Sequence, residues 1–285
     1  MRDNTPSRTA LLIAFALIVL GGDDYGRRKC PPGVVSVQIQ LLKEAGLPCG
    51  ARPWVIHNPI FSKLVRLFLW CFIHPDMLEG IGIRKCFMEE HVRTSLAENC
   101  RQVLIIAAGY DTLAFRLSQE YPQVQFWELD HPATANVKQR ALRGMGQPKN
   151  LHTVDADLTQ TSLEEVMSLQ AQYNVKSRTV VVMEGLTYYL SETHVRGLFA
   201  SVSHVVGPMS SICFDFFGWN AQRGVFDLGW LAPCLQYFVK LAGEPWKWGI
   251  NRNELPGFFQ GSSWTTKGAP RKMGILNLAC VERKN

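Results

Sequence analysis

The stretch Arg101-Gln102-Val103-Leu104-Ile105-Ile106-Ala107-Ala108-Gly109-Tyr110-Asp111-Thr112 decides the fold. Its apolar run from Gln102 to Ala108 reads as a buried strand, and Gly109 stands where the chain must turn tightly. Thr112 to Tyr121 then carries apolar residues three or four apart, the spacing of a helix face. The alternation recurs downstream. Val124 to Asp130, Leu151 to Asp157, Thr179 to Gly185 and Ser211 to Phe217 read as strands, and Pro132 to Met145, Ser162 to Tyr173 and Glu192 to Val206 as helices. Thr161-x-x-Glu164 predicts a capping box for the third helix. Strands alternating with helices predict an α/β fold with a parallel sheet and right-handed crossovers, and a ligand crevice at the carboxyl ends of the strands.

The polar residues of the pattern gather at those ends. Gly109 is the only glycine of the first turn, so the G-x-G-x-x-G signature of dinucleotide enzymes is absent. Asp130 ends the second strand, where a carboxylate can accept hydrogen bonds from both ribose hydroxyls of an adenosine or cap the helix opening at His131-Pro132. Asp157-Leu158 ends the third strand and suits an adenine amino group and ring nitrogen, with Asp155 as the competing carboxylate. The fourth strand ends in Glu184-Gly185-Leu186-Thr187-Tyr188-Tyr189.

These segments resemble the leucine carboxyl methyltransferase family and its bacterial relatives linked to polyketide O-methylation. The resemblance is carried by residues 101–117, Glu128-Leu129-Asp130-His131-Pro132, Asp157-Leu158, Glu184-Gly185-Leu186 with Tyr189-Leu190, and Gly243-Glu244-Pro245 with Trp248-Gly249-Ile250, together with Pro6-Ser7-Arg8-Thr9-Ala10 at the start. It implies a Rossmann-like class I methyltransferase sheet with helices on both faces and an N-terminal helical lid. It also implies S-adenosylmethionine as the cofactor. Arg84 would pair with the methionine carboxylate, Gly109 would form the turn beneath it, and Asp130 would hold the ribose. Asp157 and Leu158 would frame the adenine, and Glu184 would contact the methionyl amine. The first motif departs from the family, because Ala107 stands at its usual glycine.

Composition sets the remaining bounds. The chain has 285 residues, 47% hydrophobic and 19% charged, which suits one large globular core. Its net charge of +6 is scattered, so no nucleic-acid partner is expected. Eight cysteines lie far apart without metal-ligand spacing and read as reduced thiols, and no metal is expected. Residues 1–100 read as a helical lid that covers the cofactor, and 101–285 as the core with an acceptor-site insertion after 217. Ala10 to Leu20 is apolar and is read as a buried helix capped by Thr9, with a secretory signal peptide as the alternative to a cytoplasmic protein. Ile60 to Ile73 is apolar except at Ser62, Lys63 and Arg66 and reads as lid with a solvated edge, so membrane contact is not expected. Ile275 to Val281 has the character of a final strand.

The expected activity is O-methyl transfer to a carboxylate or hydroxyl oxygen of a small molecule or a protein C-terminal carboxylate. A hydroxyl acceptor would need a base, with His131, His152 and His194 as the candidates. The alternatives are a catalytically weak or inactive S-adenosylmethionine-binding protein of the same fold and a nicotinamide-dependent enzyme.

Overall fold

The computed structural model describes residues 5–47, 58–72, 77–220, 224–228, 236 and 245–284. Five parallel strands form the centre: β1 (Gln102–Ile106), β2 (Gln125–Asp130), β3 (Leu151–Asp155), β4 (Thr179–Met183) and β5 (Ser211–Phe217). A short antiparallel pair, β6 (Trp219–Asn220) and β7 (Val225–Phe226), stands outside the main sheet. The strands β8 (Trp264–Thr266), β9 (Arg271–Met273) and β10 (Leu276–Arg283) complete the chain. The sheet order is β3-β2-β1-β4-β5-β10-β8, with β10 antiparallel to β5 and with β9 pairing β10. The expected final strand is therefore present, and it is inserted beside β5 rather than left at an edge.

Residue alternation along the central strands feeds two cores. Val103 and Ile105 of β1 and Val180 and Val182 of β4 pack on one face, while Leu104, Ile106, Val181 and Met183 pack on the other. Both faces need a helical layer, which is why these strands read as unbroken apolar runs. The first face is covered by α1 (Arg8–Leu20), α3 (Val34–Glu44), α4 (Pro59–Phe72), α5 (Met77–Ala97), α6 (Leu113–Glu120) and α7 (Pro132–Gly144), with the single turn α2 (Asp24–Arg27) between α1 and α3. The second is covered by α8 (Leu163–Ser168), α9 (Glu192–Val205) and the short α10 (Leu255–Phe258).

Two capping expectations move. The Ser7 hydroxyl, not Thr9, accepts the Ala10 N–H at 3.1 Å and starts α1. The capping box is Ser162 with Glu165, one residue beyond the expected pair. The Thr161 N–H is already committed to the Asp157 carbonyl at 3.0 Å, so the extended backbone that a cap requires begins only at Ser162. The apolar start of the chain is a core helix, with Leu17, Ile18, Val19 and Leu20 essentially inaccessible. No helix among the described residues is long and apolar enough to cross a membrane. Residues 221–223, 229–235 and 237–244 lie outside the described residues, and with them much of the expected acceptor-site insertion and the Gly243-Glu244 pair.

Candidate functional site

The carboxyl ends of the strands carry a continuous line of buried charge. Helix α5 runs along the sheet and delivers Arg84 and Lys85, both about 95% buried. Arg84 Nε lies 2.9 Å from Glu184 Oε1, and its Nη1 lies 3.0 Å from Asp215 Oδ2 and 3.4 Å from the Tyr188 hydroxyl. Lys85 Nζ lies 3.0 Å from the same Glu184 oxygen and 2.6 Å from Asp111 Oδ1. The Asp215 carboxylate also accepts the Gly185 N–H at 2.7 Å, which holds the loop after β4 against β5.

Burial alone would strip these groups of charge, and pairing opposes it. Desolvation works against the Arg84 cation, but Glu184 and Asp215 outweigh it and hold the guanidinium well above its usual range. Asp111 is buried too, yet Lys85 and Lys138 draw its carboxyl down to about 2. Burial pushes Asp215 upward, because Arg84 compensates only part of its desolvation. Two cations and three carboxylates thus share one low-dielectric crevice.

The other end of the line is built on the first turn. Asp130 accepts the Gly109 N–H through one oxygen and the His131 N–H at 2.6 Å through the other. The carboxylate therefore locks the tight turn and the start of α7 together, and the ring of His131 caps that helix at Ala133. Ribose recognition and helix capping were the competing readings of Asp130; its oxygens serve the turn and the helix start while remaining at the strand end. Asp157 folds back on its own loop, with Oδ1 accepting the Thr159 N–H at 2.9 Å and its hydroxyl at 2.7 Å. Those bonds hold its carboxyl below the ordinary range. Its other oxygen lies 3.8 Å from His131 Nε2, so the adenine-side and ribose-side candidates adjoin. Leu158 packs at the margin of the second core, while the rival Asp155 is solvent-exposed.

Arg84 and Glu184 are in direct contact, as are Gly109 and Asp130, and the link between the two pairs is Lys85–Asp111. Lys85, Asp111 and Asp215 were assigned no role from sequence. A signal existed for one of them: Asp215 sits in the apolar strand Ser-Ile-Cys-Phe-Asp-Phe-Phe, where an acid demands a buried partner. The three histidines are engaged locally. His131 caps α7, His152 stacks on Trp127 with ring centres 4.1 Å apart, and His194 bonds the Ser191 hydroxyl at 2.6 Å.

The start of α1 closes over the turn. The Ser7 N–H donates to Thr134 Oγ1 at 3.0 Å, and a side chain added at Gly109 would meet the Ala10 Cβ at 3.1 Å. Gly109 has φ +49°, so it is required on two grounds, conformation and space. Ala107 also adopts a left-handed backbone, φ +57°, and an L residue with a Cβ is strained there. Ala107→Gly is expected to raise stability by about 1 kcal/mol, the relief of that strain less the added freedom of glycine in the unfolded chain. Urea denaturation of the two proteins checks it; equal midpoints would mean the turn tolerates the methyl group.

Residues 72–203 match the family model described as leucine carboxyl methyltransferase. Across that stretch the chain is similar to the leucine carboxyl methyltransferase family. The family match runs from α5 through most of α9 and so includes every residue of the buried line except Asp215. A Bacillus subtilis protein provisionally named S-adenosyl-L-methionine-dependent methyltransferase YktD is 28% identical over 184 residues, 63% of this chain and 59% of its own length. A similarly named Mycobacterium bovis protein is 30% identical over 205 residues, covering 66% of this chain and 55% of its own. The chain thus spans about three fifths of the length of the curated relatives it matches. Among solved structures, the mitomycin 7-O-methyltransferase MmcR has a TM-score of 0.51 at 12% identity, covering 92% of this chain and 76% of that one. A Nostoc punctiforme protein provisionally titled an O-methyltransferase has a TM-score of 0.50 at 14% identity, covering 86% and 72%. At such identities the likeness is one of fold, the class I methyltransferase sheet.

Proposed function

We propose that the chain binds S-adenosylmethionine along the buried line and transfers its methyl group to an oxygen. The observation that carries this reading is Glu184. Its Oε1 is shared by Arg84 and Lys85, whereas its Oε2 is buried without a hydrogen-bond partner. A buried orphan acceptor is costly unless a donor completes it, and the ammonium of an amino acid is such a donor. Arg84 beside it suits the carboxylate of the same amino acid, and Gly109 lets the backbone approach closely. The residues present therefore fit the cofactor that the family relatives are named for.

When bound, the cofactor supplies a methyl group on a sulfonium, already activated for transfer. The protein's part is positional. Glu184 and Arg84 would orient the amino-acid end, Asp130 would fix the turn and the sugar, and Asp157 with Leu158 would border the base. Helix α1 would exclude water from the turn. A carboxylate acceptor needs no base, and none of the described histidines contacts Arg84, Lys85, Asp111, Glu184 or Asp215, which favours a carboxylate over a hydroxyl. The acceptor class is then a small-molecule or C-terminal carboxylate.

Incubation with methyl-labelled cofactor and a cell extract tests the reading. Label released as methanol in mild alkali marks a methyl ester; alkali-stable label marks an ether or N-methyl product and overturns the carboxylate assignment. Binding without turnover would favour the inactive alternative, for which the strained Ala107 speaks. Asp130→Ala is expected to weaken cofactor binding by about 1.5–3 kcal/mol, the scale of hydrogen bonds to a charged group. Calorimetry on a variant with native circular dichroism reads this, and unchanged affinity would remove Asp130 from the site.

A further inference from the structure

Helix α4 has an apolar face that nothing among the described residues covers. Ile60, Leu64 and Leu67 are 68%, 59% and 57% exposed. Their spacing of four and three places them on one side of the helix. Phe61 and Val65 pack instead against the core beneath, so the helix is seated by one face and bare on another. Leu12, 58% exposed, adds a fourth apolar side chain on α1, which packs against α4. The remaining large exposed apolar residues among those described, such as Leu169, Val175 and Met209, are scattered singly, which is ordinary for a protein surface.

The charge of the helix selects the occupant. Its sequence, Pro-Ile-Phe-Ser-Lys-Leu-Val-Arg-Leu-Phe-Leu-Trp-Cys-Phe, contains Lys63 and Arg66 and no acidic residue, and the whole chain carries a net +6. A second copy laid on this face would bring the exposed Lys63 of both copies to one apolar seam, with no acid on the helix to offset them. An anionic lipid surface meets both requirements, taking the apolar side chains below the headgroups and the cations among them. We propose that α4 docks the protein on an anionic membrane surface, with the helix lying in the interface. The sequence reading of a solvated edge rested on the two cations; the bare Ile60, Leu64 and Leu67 side chains change it.

Sedimentation of the full chain with phosphatidylcholine vesicles, with and without phosphatidylglycerol, tests the proposal. Binding is expected on the anionic vesicles, weaker on phosphatidylcholine alone, and falling as salt is raised. The variant Leu64→Ser/Leu67→Ser should bind at least roughly tenfold less, since two exposed side chains lose their apolar burial on the membrane. Lys63→Glu should bind less without loss of fold. Because all three residues are exposed, circular dichroism should be unchanged in these variants. Absence of binding to anionic vesicles, or equal binding by the double variant, would overturn the proposal. Concentration-dependent dimerisation lost in the double variant would assign the face to a second copy. Retention on soluble polyglutamate with the same dependence on Leu64 and Leu67 would assign it to an acidic protein. Either result overturns the lipid assignment.

Discussion

Arg84→Ala is expected to destabilise the protein by about 3–5 kcal/mol, the cost of removing one partner from a buried ion pair. The size follows from what is left behind. Asp215 is fully inaccessible and would keep only the Gly185 N–H and its own burial, while Glu184 would retain Lys85 alone. A carboxylate stranded in that way protonates or draws in water, and the loop after β4 loses its anchor. Arg84→Lys should recover part of the loss, since it keeps the charge but not the fork that reaches Glu184 and Asp215 together. Urea denaturation of both variants measures the effect. A loss below about 1 kcal/mol for the alanine variant would mean that the network is solvated.

Acidification should weaken the fold through His91, by up to about 3 kcal/mol, because its folded pKa lies far below the unfolded one. His91 stands on α5 with Nε2 2.9 Å from the Ser211 hydroxyl and Nδ1 3.3 Å from Cys280 Sγ, so it ties α5 to β5 and β10. Burial, then the nearby Lys267, push its pKa from 6.5 down to about 4, with Glu98 opposing. Between those values the unfolded chain binds a proton that the folded chain refuses. Stability is therefore complete above about pH 6.5, declines as pH falls toward 4, and loses nothing more to this residue below that. Denaturation midpoints measured across pH 4–7 should slope in the wild type and flatten in His91→Gln. Parallel slopes would show that other groups carry the acid sensitivity.

The sequence by itself determined the alternation of apolar strands with amphipathic helices, and with it the five parallel strands. Periodicity is a local property that survives without knowledge of partners. The residues at the strand ends, Gly109, Asp130, Asp157 and Glu184, were legible for the same reason, since topology alone places them at one edge of the sheet. The tertiary structure decided what those residues touch. Nothing in the spacing says that Arg84 and Lys85 would share Glu184, that Asp111 would join them, or that Asp215 would complete the line from a strand 131 residues beyond Arg84. Such pairings are long-range, and a buried charge only announces that a partner is needed, not which one. The antiparallel insertion of β10 was equally hidden, because strand order is set by how the faces pack. The cap at Ser162 lies one residue beyond the expected one because the turn after Asp157 already holds the Thr161 N–H, and α1 is capped by Ser7 rather than Thr9. The bare face of α4 depended on the fold as well: amphipathicity gives a helix an apolar side, but only packing decides which of its apolar residues are buried and which remain in water.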